Sequence, residues 1–182
     1  MKLLCIGDSW SAGVVGGNGD VEWDERSWPV LLGIDPEYRQ AKKGSTANQW
    51  ANDFDGNLMR AIGTDADVCI LSIGGNDAMS SYSDGKIDLT ELFAIISGIR
   101  KTVIAVRKIQ TIVILYAPFD GRTETATYCA ATNSLIRFAC PSVVEFCETS
   151  KFLTADCFCS GDIHPNAKGH SLIAEHLKGM MK

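Results

Sequence analysis

Short apolar runs alternate with segments of helical periodicity along this chain, and this alternation limits the folds that it can adopt. Four of the runs have the length and unbroken hydrophobicity of strands that are buried on both faces. They lie at 3–6, 68–73, 112–116 and 143–147, and a weaker run at 38–41 would be the second strand in sequence. The pattern predicts a buried parallel sheet.

Helical patterns fill the intervals between these runs. One helix is predicted after Thr46 and a longer one from Asp88, and two more cover 123–140 and 166–180. Both Thr46 and Asp88 belong to the residue types that cap helix N-termini. Strands that alternate with helices imply right-handed crossovers and a sheet covered on both faces. We therefore expect an α/β fold, a three-layer α/β/α sandwich.

Length and charge exclude several classes of protein. A chain of 182 residues that is 46% hydrophobic can bury a full core, and it has no linker, long charge run or repeat. We therefore expect one domain over residues 1–182. The net charge of −5 comes without a basic stripe, which argues against nucleic-acid binding. No segment approaches the ~18 apolar residues of a membrane span.

The cysteines and the first residues bear on the compartment. Seven cysteines are an odd number, which does not suggest a disulfide framework. Cys5 and Cys69 fall in predicted buried strands, where cysteine packs as a small hydrophobic residue. The first apolar run also begins without a secretory signal before it. We expect reduced thiols and a cytoplasmic protein.

Two motifs suggest a metal or a cofactor, and neither has the required spacing. Cys157 and Cys159, with Cys147 or His164, offer zinc ligands, but a single residue separates the pair and no second pair matches it. The glycine-rich segment 13–19 departs from the dinucleotide-binding template, and no helical pattern follows it. We expect neither a metal nor a cofactor.

Three polar segments carry the chemistry of this sequence. They are Gly7-Asp8-Ser9-Trp10 and Gly74-Gly75-Asn76-Asp77, which each follow a predicted strand, and Asp162-Ile163-His164-Pro165-Asn166 near the C-terminus. A serine at the end of a parallel strand lies where open α/β sheets bind ligands. Its hydroxyl is a weak nucleophile, which needs a base and donors for the oxyanion that forms. The side chains of His164 and Asn76 have the chemistry for these two tasks.

In their order and spacing, these segments and Lys43-Gly44-Ser45-Thr46 resemble the SGNH/GDSL hydrolase superfamily over nearly the whole chain. The resemblance implies that Ser9 is the nucleophile and His164 the general base. It also implies an oxyanion hole formed by the backbone N–H groups of Ser9 and Gly44 and the amide of Asn76. The implied fold is flavodoxin-like, with five parallel strands in the order 2-1-3-4-5.

The sequence departs from the family pattern beside His164. The family places an aspartate three residues before the histidine, where this chain has Gly161, and the carboxylate of Asp162 lies one residue later. Three arrangements stay open. Asp162 reaches the ring from a bulged loop, another acid such as Asp156 or Asp120 replaces it, or a backbone carbonyl holds the ring in a Ser–His dyad.

The resemblance implies hydrolysis of a carboxylic ester or thioester through a serine acyl-enzyme. The loops expected around Ser9 carry a mixed acidic and aromatic set of side chains, which suits a polar or sugar-like substrate. Four of these residues are candidate substrate contacts: Trp10, Trp23, Met79 and Tyr82. The chain is too short for a large lid, which favours a short acyl group such as acetyl. The expected partner is a small-molecule ester, and the sequence carries no indication of oligomeric state.

Two rival functions come from other classes. One is a degenerate hydrolase that binds a glycan or another ligand without turning it over, which the missing family aspartate suggests. The other is a flavodoxin-like binder of phosphate or nucleotide, because a fold class alone does not determine function.

Overall fold

Four parallel strands form one sheet in the computed structural model, which describes residues 1–19, 21–53, 56–81, 89–108, 110–119 and 123–181. The strands are β1 (Leu3–Gly7), β2 (Val68–Ser72), β3 (Gln110–Leu115) and β4 (Glu145–Glu148). They lie in the order β1-β2-β3-β4, each hydrogen-bonded in parallel to the next. Every residue of β2 is buried, as expected for a strand covered on both faces. The four strong apolar runs thus correspond to the four strands.

The predicted strand at 38–41 does not form, so the described part of the chain has four strands where five were expected. A 3-10 helix, Pro36–Tyr38, occupies the start of this segment, because proline fixes its own φ and suits the first turn of a helix. Beyond it, the chain makes only an isolated parallel bridge between Arg39 and Cys5. The backbone N–H groups of Gln40 and Lys42 donate to carbonyls of β1, both at 2.9 Å. The segment follows the edge of β1 that faces away from β2.

Seven α-helices connect and flank the strands in the described residues. They are α1 (Trp28–Leu31), α2 (Ala47–Ala51), α3 (Asn57–Gly63), α4 (Gly75–Ser81), α5 (Leu89–Ala105), α6 (Thr123–Ala139) and α7 (Ala167–Met180). The predicted cap at Thr46 is confirmed, because its side chain accepts the backbone N–H of Gln49 in a capping box. The helix that follows it ends at Ala51, and the predicted Asp88 cap lies outside the described residues.

The helices pack in two groups, as right-handed crossovers require. Helix α5 contacts α2 and α6, whereas α1 contacts α7. The chain moves along the sheet in one direction through β2, β3 and β4, so α5 and α6 cover the same face. Helix α1 precedes a step in the opposite direction, to the 38–41 segment, and therefore covers the other face. No helix in the described ranges is long and apolar enough to cross a membrane.

Candidate active site

The turn that follows β1 brings Ser9 against the end of β2. Gly7 has a φ of +117°, and a Cβ at this position would lie 1.8 Å from the carbonyl oxygen of Ser72. Only glycine fits there, since it tolerates this φ and has no side chain to clash. The backbone N–H of Asp8 then donates to the same carbonyl at 3.0 Å. Ser9 follows at the carboxyl edge of the sheet and is only 5% exposed.

The carboxylate of Asp8 lies beneath this turn. Its Oδ1 accepts the backbone N–H of Trp10 at 3.1 Å and the hydroxyl of Ser72 at 2.6 Å. Its Oδ2 accepts the hydroxyl of Tyr116. Burial raises the pKa of Asp8 from 3.8 to about 6, although these three hydrogen bonds oppose the rise. Asp8 therefore holds the turn in place from below.

The structure places Ser9, His164 and Asp162 in one chain of hydrogen bonds. The Oγ of Ser9 lies 2.9 Å from Nε2 of His164, and Nδ1 of the same ring lies 2.8 Å from Oδ1 of Asp162. An ionised carboxylate accepts only, so Nδ1 carries the proton and Nε2 is left to accept from the serine. This is the arrangement that general-base activation of a hydroxyl requires.

Among the three arrangements that the sequence left open, the structure shows contact through Asp162. Asp156 is exposed and pairs with Lys168 instead, and Asp120 lies outside the described residues. Burial raises the pKa of the Asp162 carboxyl, but the backbone N–H groups of His164 and Gly17 and the nearby imidazole outweigh it. The net result is a pKa below the usual value, which keeps this group ionised beside the ring.

The loop that carries Asp162 and His164 is held by its own turn and by hydrogen bonds from the segment after β1. Gly161 has a φ of +78°, and the backbone N–H of Asp162 donates to the carbonyl of Cys159 at 3.1 Å in a tight turn. From the stretch after β1, the backbone N–H of Gly17 donates to Oδ2 of Asp162 at 2.9 Å. The indole N–H of Trp10 donates to the carbonyl of Ile163 at 3.2 Å.

Asn76 is hydrogen-bonded to Ser45, the residue after Gly44. Asn76 lies in the first turn of α4, and its amide nitrogen donates to the carbonyl of Ser45 at 2.9 Å. A carboxamide has two N–H donors, so this bond uses one of them. The hydroxyl of Ser45 in turn donates to the carbonyl of Gly7 at 2.9 Å. Gly44 is exposed and has a φ of +74°.

A small cavity, lined mostly by apolar and aromatic groups, opens beside Ser9 and Asn76. Of the four predicted substrate contacts, Trp10 and Met79 line it, Trp23 is not among its described lining residues, and Tyr82 lies outside the described part of the chain. Trp10 is only 4% exposed. Trp23 instead packs against the core, and its backbone N–H donates to Ala12 at 2.7 Å.

Sequence reasoning missed several residues of the cavity wall. These are Tyr116, Ala117, Tyr128, Cys129 and Ile163. The first two follow β3, and the end of that strand was a signal that could have found them, because ligands bind at the carboxyl ends of parallel strands. Tyr128 and Cys129 lie on α6, and nothing in a helical pattern distinguishes a cavity wall from core.

The metal-ligating types of side chain do not cluster in the described ranges. No group of three or more histidine, cysteine, aspartate or glutamate side chains comes together there. The seven cysteines are free thiols. Cys157 is buried, and the thiol of Cys159 contacts the carbonyl of Gly16.

Comparisons with known proteins identify the family of this chain and agree with its fold. The sequence model of the GDSL-like lipase/acylhydrolase family matches residues 5–172, whereas no curated protein gives a significant match. An acetylxylan esterase from Geobacillus stearothermophilus has a similar structure, with a TM-score of 0.67 and 17% identity over 97% of this chain and 91% of that chain. A G-D-S-L family lipolytic protein from Veillonella parvula is similar with a TM-score of 0.69 and 18% identity, over 100% of this chain and 98% of that chain. Because the match spans most of the sequence, from β1 into α7, the chain belongs to the GDSL-like lipase/acylhydrolase family.

Proposed function

We propose that this protein hydrolyses a carboxylic ester through an acyl-enzyme formed on Ser9. The observation that carries the proposal is the chain of contacts from Ser9 Oγ through His164 to Asp162, at 2.9 and 2.8 Å. Membership of an acylhydrolase family supports ester hydrolysis as the reaction class. A nucleophile, its base and the group that orients the base are the three parts that this chemistry needs.

Each residue then has a defined step. His164 Nε2 takes the proton as Ser9 Oγ attacks the carbonyl carbon, and Asp162 stabilises the imidazolium that forms. The oxyanion accepts hydrogen bonds from the backbone N–H groups of Ser9 and Gly44 and from the Asn76 amide. Collapse breaks the bond to the alcohol, which leaves with the proton from His164. Water, activated by the same imidazole, hydrolyses the acyl-enzyme and restores the serine.

We further propose a short acyl group on a polar or sugar-like alcohol. The small apolar cavity beside Ser9 suits an acyl group such as acetyl, and one structural neighbour is an acetylxylan esterase. The protein would act as one domain over residues 1–182, without a cofactor. Seven free thiols suit a reducing compartment, so we propose the cytoplasm.

The test is hydrolysis of aryl acetate, butyrate and octanoate esters and of acetylated xylose by the purified protein, with Ser9→Ala as the matched variant. We expect the acetyl esters to be the best substrates. We expect Ser9→Ala to fold normally and to lose roughly 10⁴-fold or more of the activity. An aryl phosphonate should also label wild-type Ser9, as read by mass spectrometry. Wild-type protein that neither hydrolyses these esters nor reacts with the phosphonate would overturn the proposal.

The rival function, a degenerate glycan-binding protein, was suggested by the acid missing at position 161. The contact between Asp162 and His164 supports turnover instead, because it places a carboxylate beside the ring. Binding of acetylated xylose without turnover, in the same assay, is the outcome that would favour it.

A further inference from the structure

Tyr116 lies between the two turns that form the site, and neither turn contains it. It follows β3 directly and is only 7% exposed. Its ring packs edge-on against Trp10, with the centroids 5.2 Å apart. On its other side it touches Gly75 so closely that a Cβ there would lie 2.8 Å from the ring carbon that bears the hydroxyl. Below, residues 7–10 are called the Ser9 turn and residues 74–77 the Asn76 turn.

The hydroxyl of Tyr116 bonds to both turns. It donates to Oδ2 of Asp8, the residue before Ser9. It accepts the backbone N–H of Gly75, the residue before Asn76, at 3.2 Å. A phenol can donate one hydrogen bond and accept another at the same time. One oxygen atom therefore connects the neighbour of the nucleophile to the neighbour of the oxyanion donor.

The backbone of Tyr116 is itself fixed. Its N–H donates to the side-chain oxygen of Asn133 at 2.9 Å, and its carbonyl accepts the amide N–H of the same residue at 2.8 Å. Asn133 lies on α6. The carboxamide thus bonds to the backbone N–H and carbonyl of Tyr116 as a neighbouring strand would. The backbone therefore stays hydrogen-bonded for one residue beyond the end of β3. The hydroxyl is carried on a backbone that has little freedom to move.

We propose that Tyr116 is a positioning residue that holds the Ser9 turn and the Asn76 turn at the separation that catalysis requires. The inference rests on the proposed function, because it concerns the distance between the proposed nucleophile, Ser9, and the proposed oxyanion donor, Asn76. Donors act on an oxyanion only when they lie about 2.7–3.1 Å from the place where its charge develops. A displacement of about 1 Å in a catalytic group costs on the order of 100-fold in rate. Loss of the shared hydroxyl removes the direct hydrogen-bonded link between Asp8 and Gly75, and the two turns then keep the link through Ser45.

Tyr116→Phe removes the hydroxyl and keeps the ring that packs on Trp10 and Gly75. We expect kcat for an aryl acetate to fall roughly 10- to 100-fold, with KM within about threefold. Stabilisation of the transition state depends on the separation of the two turns, whereas binding of the ground state does not. The matched control is Tyr128→Phe. The Tyr128 hydroxyl donates to the carbonyl of Gly75 at 2.7 Å. This variant therefore also removes a phenolic hydroxyl that bonds to the Asn76 turn, but it leaves the Tyr116 link in place.

A double variant separates positioning from a general loss of structure. If Tyr116 acts by placing the Asn76 amide, Tyr116→Phe should cost less than about threefold in an Asn76→Ala background, since coupled residues are not additive. A structural defect would instead lower both backgrounds by the same factor. The thermal midpoints of all four proteins show whether each variant is folded at the assay temperature.

Three results overturn the inference: an unchanged kcat in Tyr116→Phe, equal losses in Tyr116→Phe and Tyr128→Phe, or full additivity with Asn76→Ala. Failure of the proposed function is a separate outcome. It is seen in the wild-type protein, as absent hydrolysis or as activity that survives Ser9→Ala, and it overturns this inference as well.

Discussion

At the residue scale, the placement of Asp162 sets this chain apart from the family pattern. In an extended loop, a shift of one residue turns a side chain to the opposite side. Here the left-handed conformation of Gly161 and the turn closed by Cys159 redirect the chain. The same oxygen of Asp162 accepts the backbone N–H of His164 at 2.9 Å and faces its ring nitrogen at 2.8 Å. A turn that bonds to its own backbone can therefore compensate for the shift.

This geometry makes Asp162→Ala a severe change. Loss of the acceptor at Nδ1 frees the ring to adopt the wrong tautomer, and we expect kcat to fall by about 10⁴-fold, with Asp162→Asn nearly as damaging. Asp156→Ala is the control, because that exposed acid pairs with Lys168 away from the ring. Steady-state kinetics on an aryl acetate measure the effect. A loss of only about tenfold would instead indicate that the backbone holds the ring.

Asn76 provides a second prediction at this scale. Its amide is a fixed neutral donor, and we expect Asn76→Ala to lower kcat by roughly 100-fold or more with a smaller change in KM. The side chain also ties α4 to Ser45 at 2.9 Å, so the thermal midpoint should be measured alongside the kinetics. A change in KM alone would make Asn76 a substrate-binding residue and not an oxyanion donor.

At the scale of elements, the stretch after β1 and the loop before α7 are joined across the site. The backbone N–H of Gly16 donates to the carbonyl of Pro165 at 2.9 Å, next to the bonds from Trp10 and Gly17 described above. At the far end of the loop, the side chain of Asn166 caps α7 by accepting the N–H of Gly169 at 3.1 Å. His164, the proposed base, is thus positioned by a helix N-terminus on one side and by the loop that follows Ser9 on the other.

Gly16→Ala tests this junction. A Cβ at Gly16 would lie 2.4 Å from the carbonyl oxygen of His164, so the backbone of His164 must move. We expect kcat to fall at least roughly tenfold, together with the thermal midpoint. Gly179→Ala is the matched control. Its Cβ, in α7, would meet nothing within 4 Å, and helix propensity predicts a gain of up to about 1 kcal/mol with unchanged kcat. Similar behaviour of the two variants would show that the junction has no role.

At the scale of the whole molecule, two buried groups titrate in the same pH range with opposite effects on stability. One is Asp8, whose pKa burial raises to about 6. The other is His170, which is fully buried and whose pKa is lowered to about 4, chiefly by burial. Its Nδ1 accepts the backbone N–H of Trp28 at 3.3 Å, so its Nε2 donates to the carbonyl of Val14 at 2.9 Å. The neutral ring thereby joins α7 to the loop after β1.

The signs follow from the protons that each state binds. Between about pH 4 and pH 6 the folded protein keeps the Asp8 proton that the unfolded chain has lost, so this group lowers stability as pH rises. Between about pH 6.5 and pH 4 the unfolded chain protonates His170 and the folded protein does not, so this group lowers stability as pH falls. Each contribution is about 2–3 kcal/mol between pH 4.5 and pH 7.5, and the two nearly cancel.

We therefore expect single substitutions to reveal the pH dependence that each group contributes to the free energy of unfolding. Relative to wild type, Asp8→Asn should gain about 2 kcal/mol more in the free energy of unfolding at pH 7.5 than at pH 4.5. His170→Gln should show the reverse, with its benefit at the acid end. Urea unfolding of the three proteins at both pH values measures this. If the free energy of unfolding varied with pH in the same way for all three proteins, the shifted pKa values of Asp8 and His170 would be contradicted.

The sequence by itself determined those features that depend on neighbours along the chain. The apolar runs located the four strands, and Thr46 marked the start of α2, because hydrophobic periodicity and capping are local properties. The three polar segments singled out Ser9, Asn76 and His164 as candidates, since each has a composition that can be recognised without the fold. The sequence signal for an edge strand is weaker. The prediction of a strand at 38–41 was wrong, because Pro36 begins a 3-10 helix there.

Only the tertiary structure decided which of these groups touch. Ser9 and His164 are 155 positions apart, and Tyr116 and Asp8 are 108 apart, so no local pattern relates them. The acid beside His164 could not be chosen from sequence, because its direction depends on the backbone angles of Gly161 and on a hydrogen bond from Gly17, 145 positions away. Side-chain direction in a loop follows from the contacts that hold the loop, and those contacts exist only once the sheet and α7 have assembled.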